Sequence, residues 1–189
     1  MEDNLNTRVK RLETVISLGI PDRAPTVPLI AQFALRYRGV PQSDAYRNAQ
    51  TTIKALVETF DALGGWGGQL AANLICILHF DTDWTLNMPY LKDLPRGKCI
   101  CELDSRTDIF KAKEILKDHM CIMGDVPATL LSLGTEEDVV NYCNKLHEMV
   151  GRDGGFILST GCECPIDAKF ENVRAMLETA RSHTYPGLA

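Results

Sequence analysis

The chain has 189 residues, 45% of them apolar and 24% charged, which is enough for one good hydrophobic core and ordinary for a globular protein. Its net charge of −5, from 20 basic against 25 acidic residues with no basic cluster, argues against a nucleic-acid partner. No run approaches the roughly 20 apolar residues of a membrane span, and residues 1–11 are polar without the apolar centre of a secretion signal, so a cytoplasmic protein with a single domain over residues 1–189 is expected.

In chain order, Val9, Leu12, Val15 and Ile16 recur at helical spacing and predict a helix over 6–18, ended by Pro21-Asp22-Arg23-Ala24-Pro25. A brief apolar run follows at 27–30. Ile53, Leu56, Val57 and Phe60 place a second helix over 49–63, closed by the glycine-rich run 64–68. From there strands and helices alternate: a strand over 74–80, a polar and aromatic stretch over 82–94, a strand over 98–103, a helix over 108–116 and a strand over 119–123. A helix over 135–150 with Thr135 as N-cap, a strand over 156–159 and a helix over 170–180 complete the pattern. Such alternation with short turns predicts right-handed βαβ units, hence an α/β fold with a parallel sheet. The apolar run leading into His79 is long for one strand, since about 5–6 residues is usual, and it carries no turn.

Parallel strands bring their carboxyl ends to one rim, where loops carry reactive groups on a rigid support. His79 and Asp81 end the first of these strands, Glu102 and Asp104 the second, and Cys162 follows the fourth. A set of nitrogen, oxygen and sulfur donors suits zinc, which accepts all three and favours four ligands. The same residues also have ordinary structural readings: His79 and Asp81 as caps, Cys162 as packing. Seven cysteines without a secretion signal point to buried thiols plus one metal or reactive site rather than to a disulfide framework. Cys99 and Cys101, two apart in a strand, share the face opposite Glu102 and read as core, and Cys143 reads as helix packing. In the loop Cys162-Glu163-Cys164, the first thiol lies nearer the strand end and is the candidate ligand. His119 is read as a surface or turn residue, and His147 and His183 as solvated. The glycine-rich run 64–68 follows a helix instead of opening one, contrary to a phosphate-binding loop.

With these residues in hand, the chain resembles the uroporphyrinogen decarboxylase superfamily, which includes the heme-pathway decarboxylase and cobalamin-dependent methyltransferases. The segments that carry the resemblance are Pro21-Asp22-Arg23-Ala24-Pro25, Met123-Gly124-Asp125-Val126-Pro127, Leu133-Gly134-Thr135-Glu136-Glu137-Asp138-Val139 and Gly154 to Pro165. The resemblance implies a TIM-barrel-like (β/α)₈ fold, here incomplete: such barrels run to about 250 residues, and an internal deletion near 73–77 is expected. The barrel's open edges then require cover from the amino-terminal helices or from a second copy of the chain in a homo-oligomer. Comparison with the methyltransferase branch implies a zinc site at His79, Asp81, Glu102 and Cys162, with Asp81 standing where that branch has a thiol. It also implies a corrinoid carried by a partner protein and a small-molecule methyl donor or acceptor. Comparison with the decarboxylase branch implies a tetrapyrrole substrate; Gln32 to Tyr37 is similar to its carboxylate-gripping segment, with Ala31 in place of the first arginine. Arg36 and Asp125 are the substrate-binding residues that the resemblance implies. The short length leaves a third reading, a catalytically inactive remnant of the family acting as a binding module.

Overall fold

The computed structural model describes residues 5–25, 31–47, 51, 54–55, 58–59, 62, 76–94, 96–97 and 99–184. Helices α1 (Leu5–Ile16), α2 (Ala31–Tyr37) and α3 (Gln42–Arg47) come first. Then follow β1 (Cys76–Phe80), a 3₁₀ turn over Met88–Asp93, β2 (Cys99–Leu103), α4 (Ile109–Leu116) and β3 (Cys121–Val126). Helices α5 (Ala128–Leu133) and α6 (Glu136–Leu146), β4 (Phe156–Thr160) and α7 (Phe170–Ser182) complete the order. The run 27–30, the glycine-rich run 64–68 and the expected junction up to residue 75 lie outside the described residues. So does most of the helix expected over 49–63, of which residues 51, 54, 55, 58, 59 and 62 are helical. Among the described residues no helix is long and apolar enough to cross a membrane.

The four strands form one parallel sheet in the order β1-β2-β3-β4, an α/β arrangement that is an incomplete barrel. Strand alternation gives the sheet two faces. Cys99, Cys101, Leu103, Ile122, Val126, Phe156 and Leu158 point into the larger core, against Ile109, Ala112 and Leu116 of α4, Val139 and Cys143 of α6, and Val173 and Met176 of α7. The opposite face carries Ile100, Cys121, Met123 and Ile157, covered by Leu12, Val15 and Ile16 of α1. That cover stops short of β1, whose Ile77 on the same face is 52% exposed.

Local chemistry sets the element ends. Asp108 caps α4 by accepting hydrogen bonds from the amides of Phe110 and Lys111, and Thr135 with Asp138 forms a reciprocal capping box at α6. Strand β3 begins at Cys121, two residues later than the sequence suggests. The amides of His119 and Met120 bond back to the Leu116 carbonyl at 2.8 and 3.0 Å, finishing α4 and keeping both residues out of the ladder. The expectation of a solvated His147 is overturned. Helix α6 runs on into a π turn over His147–Gly151, and His147 is fully buried, stacked on His183 with ring centroids 4.3 Å apart. Its spacing from Val139 and Cys143 explains this, because steps of four residues stay on one helix face.

Gly154 joins α1 to the entrance of β4. Its φ is +82°, and an added Cβ would stand 2.4 Å from the Gly19 carbonyl oxygen, while its own carbonyl accepts the buried Lys113 ammonium at 2.8 Å. Gly154→Ala is expected to cost about 2 kcal/mol or more in urea unfolding, from backbone strain and the clash together. Gly39→Ala, at a φ of +65° with open space around it, should cost only about 1 kcal/mol from the same backbone preference.

Candidate metal centre

The first part of the site is fixed by register. His79 in β1 pairs directly with Glu102 in β2, on the sheet face that α1 covers lower down. Glu102 is buried, and its Oε2 lies 3.1 Å from Nδ1 of His79. The other ring nitrogen faces outward: Nε2 is 3.3 Å from Oδ1 of Asp81 and 3.8 Å from Sγ of Cys162.

Cys162 has to travel to reach that point. Strands β1 and β4 are three positions apart, about 14 Å in a flat sheet. Two features close the gap. The Gly161 amide donates to the Val126 carbonyl at 2.9 Å, and an added Cβ on Gly161 would sit 3.1 Å from the backbone of Asp104, so the loop after β4 lies directly on the end of β2. The Thr160 hydroxyl then donates to the Cys162 carbonyl and turns the loop. A Cβ at 161 would require the Asp104 backbone to give by a few tenths of an ångström.

The Asp81 loop is held by Asp104, which the sequence places at the end of the second strand, and by Thr107 and Trp84, which the sequence reading passed over. Asp104 accepts from the amides of Thr82 and Arg106, at 2.8 and 2.9 Å. The buried Thr107 hydroxyl accepts from the Trp84 amide and donates to the Thr82 carbonyl, and the Trp84 indole donates to the Asp81 carbonyl at 2.9 Å. These bonds tie the loop after β1 to the loop after β2. The signal available in the sequence was the Asp and Thr beyond strand β2, residue types that bond nearby backbone amides and carbonyls in turns.

One donor atom from each of His79, Asp81 and Cys162 lies within 4.8 Å of the other two. Metal–ligand bonds of about 2.0–2.3 Å in a tetrahedron imply donor separations of about 3.3–3.8 Å, which the two distances from His79 match. Those two separations suit a tetrahedral divalent ion with a fourth position for another ligand, and the Asp81–Cys162 separation, within 4.8 Å, is the looser side of the set. Glu102 stands behind the imidazole, on the nitrogen opposite the trio. The other thiols are poor ligands, because a metal needs the thiolate. Burial pushes Cys101, Cys143 and Cys164 up to about 12, and Cys121 higher still. Cys162 is exposed, in contrast to every other cysteine whose side chain is described.

The remaining sequence-derived site residues make other contacts. Arg36 is exposed in the last turn of α2, next to Tyr37, whose ring stacks on Phe170 at 4.6 Å. His119 bonds the Leu94 carbonyl at 2.8 Å at the start of β3, as a turn residue would. Asp125 is buried and accepts a hydrogen bond from the Tyr142 hydroxyl at 2.8 Å. Burial raises its carboxyl to about 7; the neighbouring charges of Asp104 and Asp108 add to the rise, and the Tyr142 bond opposes it.

The raised carboxyl makes stability depend on pH in a definite sense. Below about pH 4 the proton is bound in both folded and unfolded chains. From there to about pH 7 the unfolded chain releases it while folded Asp125 keeps it, so this residue lowers stability as pH rises, by up to on the order of 4 kcal/mol. Asp125→Asn should remove that slope. Urea unfolding of both proteins from pH 4.5 to 8 checks this, because the difference between the curves isolates residue 125.

A family model described as uroporphyrinogen decarboxylase (URO-D) matches residues 37–183. Nothing among the curated proteins matches the chain. The matched residues take in all four strands, the short rim loops and both carboxylates that flank His79. By that match, over most of its length, the chain belongs to the uroporphyrinogen decarboxylase family.

Proposed function

We propose that the protein is a zinc-dependent methyltransferase-like member of its family, moving a methyl group to or from a corrinoid carried by a partner protein, with a small molecule as the other donor or acceptor. The observation that supports this reading is the convergence of His79, Asp81 and Cys162 at one rim, donor atoms within 4.8 Å of each other. Family membership alone allows a decarboxylase equally. Against that alternative, Arg36 lacks the arginine partner that Ala31 replaces, so one guanidinium would have to hold a substrate with several carboxylates.

In this reading Nε2 of His79, a carboxylate oxygen of Asp81 and Sγ of Cys162 would hold the ion. Zinc would lower the pKa of a thiol or similar acceptor placed in its fourth position. Asp81 contributes a harder donor than the thiolate it replaces, which leaves the ion more electron-poor. The site opens to solvent on the Asp81 and Cys162 side, where a corrinoid on a partner could approach.

Purified protein should carry close to one zinc per chain by elemental analysis. Cys162→Ala should weaken zinc binding by at least the roughly 10–100-fold that loss of even an outer-shell partner causes, since a direct ligand is removed. Cys143→Ala and His119→Ala should leave the metal content unchanged. Zinc-loaded protein mixed with free methylcobalamin and a thiol should produce the thioether and cob(I)alamin, read by absorbance. Absence of zinc from carefully prepared protein, or equal loss in all three variants, would overturn the reading.

A further inference from the structure

We propose that His147 and His183 form an acid-sensitive latch: as neutral imidazoles they hold the end of α7 against the π turn, and acidification releases it. The pair includes no residue of the metal centre, and the inference does not depend on the reading of that centre.

The geometry carries it. His147 is fully buried in the π turn that continues α6, with the Phe156 ring of β4 edge-on to it at 6.0 Å between centroids. His183, the C-cap of α7, stacks on the same imidazole, with centroids 4.3 Å apart and planes 15° apart. Neutral imidazoles pack in this way as flat, largely apolar bodies. Two charged ones could not, because like charges would meet face to face and the inner ring would have lost its water. The last turn of α7 is closed by bonds to the Thr179 carbonyl, from the His183 amide at 3.0 Å and the Ser182 hydroxyl at 3.1 Å. Arg181 and Ser182 are exposed there. Such a helix end opens locally at less cost than the sheet.

The charged groups on the surrounding elements do not change this. Glu148, next to His147 on the π turn, favours a charged His183. Helix α6 brings Cys143, which keeps its proton, and Lys145, whose ammonium lies over the Phe110 ring. Helix α4 packs on the π turn with Lys113, held on the Gly154 carbonyl, and with Glu114 and Lys117, which line a cleft with Met149 and Asp153. Helix α7 brings Glu178 and Arg181, and Arg181 also feels Arg8 and Arg23. Strand β4 carries no ionisable side chain. On the inner ring the electrostatic influence is His183 itself.

Burial, and after it the neighbouring His183, push the His147 imidazole down to about 3; burial also lowers His183, against the pull of Glu148. The closed form therefore binds fewer protons than the open one. Closure is at full strength above about pH 6.5, the value of a solvated imidazole, and weakens as pH falls from there toward 3. Each pH unit in that window favours the open form about tenfold through His147 alone. Asp125 acts in the opposite sense, so the stability of the whole protein is not the readout.

Amide hydrogen exchange of the full chain from about pH 4.5 to 7.5, divided by intrinsic rates, reads the opening of Leu177 to His183 directly. Protection there should fall about tenfold per unit below pH 6.5, while β2 and β3 keep theirs. His147→Phe, which keeps a flat ring without a site for a proton, should lose this dependence. His183→Phe should retain it, since the buried imidazole must still be uncovered to be charged. In the unaltered protein the C2 proton of His147 should stay at its neutral chemical shift down to about pH 4.5. Protection independent of pH, or an equal slope in His147→Phe, would overturn the latch. A His147 resonance that titrates near pH 6.5 while α7 stays closed would do the same. So would simultaneous loss of protection across β2 and β3, the mark of acid unfolding of the whole sheet.

Discussion

Parallel pairing of four strands in register is the constraint on which the rest of this structure depends. It sends every strand's carboxyl end to the same rim, so His79, Glu102, Asp125 and Cys162 share a neighbourhood despite wide separation in the chain. Register alone suffices for the His79–Glu102 pair, whose residues sit side by side. It does not suffice for Cys162, three strands away. There the loop after β4 folds over the end of β2, with Gly161 close against the Asp104 backbone, and Sγ of Cys162 comes within 3.8 Å of the His79 ring nitrogen.

The two sheet faces divide the thiols by chemical fate. Cys99 and Cys101 lie beneath the outer helices, Cys143 and Cys164 join the same core, and Cys121 lies under α1. In those places a thiol is a small apolar filler, since a thiolate would have to be stripped of water with little to compensate it. Cys162 is two residues beyond the end of β4 and escapes this environment. Two residues of chain, between Thr160 in the strand and Cys162 in the loop, separate a packing position from a chemical one.

From β2 onward the strand and helix order was legible because each strand is a short apolar run bounded by polar residues, and because Asp108 and Thr135 are plain capping signals. The two-sided alternation around Glu102 was legible for the same reason, as was the packing role of Cys143. Other features needed the folded chain. Helices α2, α3 and α5 have six or seven residues, too few for a periodic pattern to emerge. His147 was misread because its residue type suggested solvent, although its four-residue spacing from Cys143 placed it on the buried face. The members of the metal trio could each be named from their strand ends, but their proximity depends on Gly161 and on the Asp104 and Thr107 bonds that hold the Asp81 loop. Those are contacts between segments more than 20 residues apart, and no local pattern encodes them.

Two carboxylates flank one imidazole here, and burial separates their possible roles. Asp81 is 71% exposed and meets Nε2; Glu102 is buried and meets Nδ1. An exposed carboxylate is stabilised by water whether or not it binds a metal, so it can exchange with an incoming ligand at little cost. A buried one has no such alternative, and the imidazole 3.1 Å away is the partner the structure gives it. Under the metal reading, the donor that can leave is therefore Asp81, on the open side from which substrate would arrive. A chain that carried its only carboxylate at position 102 could orient the histidine but would lose this exchangeable oxygen. One that carried it only at position 81 would keep the oxygen but leave the Nδ1 side of the imidazole without a carboxylate neighbour. This chain carries both, one on each nitrogen of the ring.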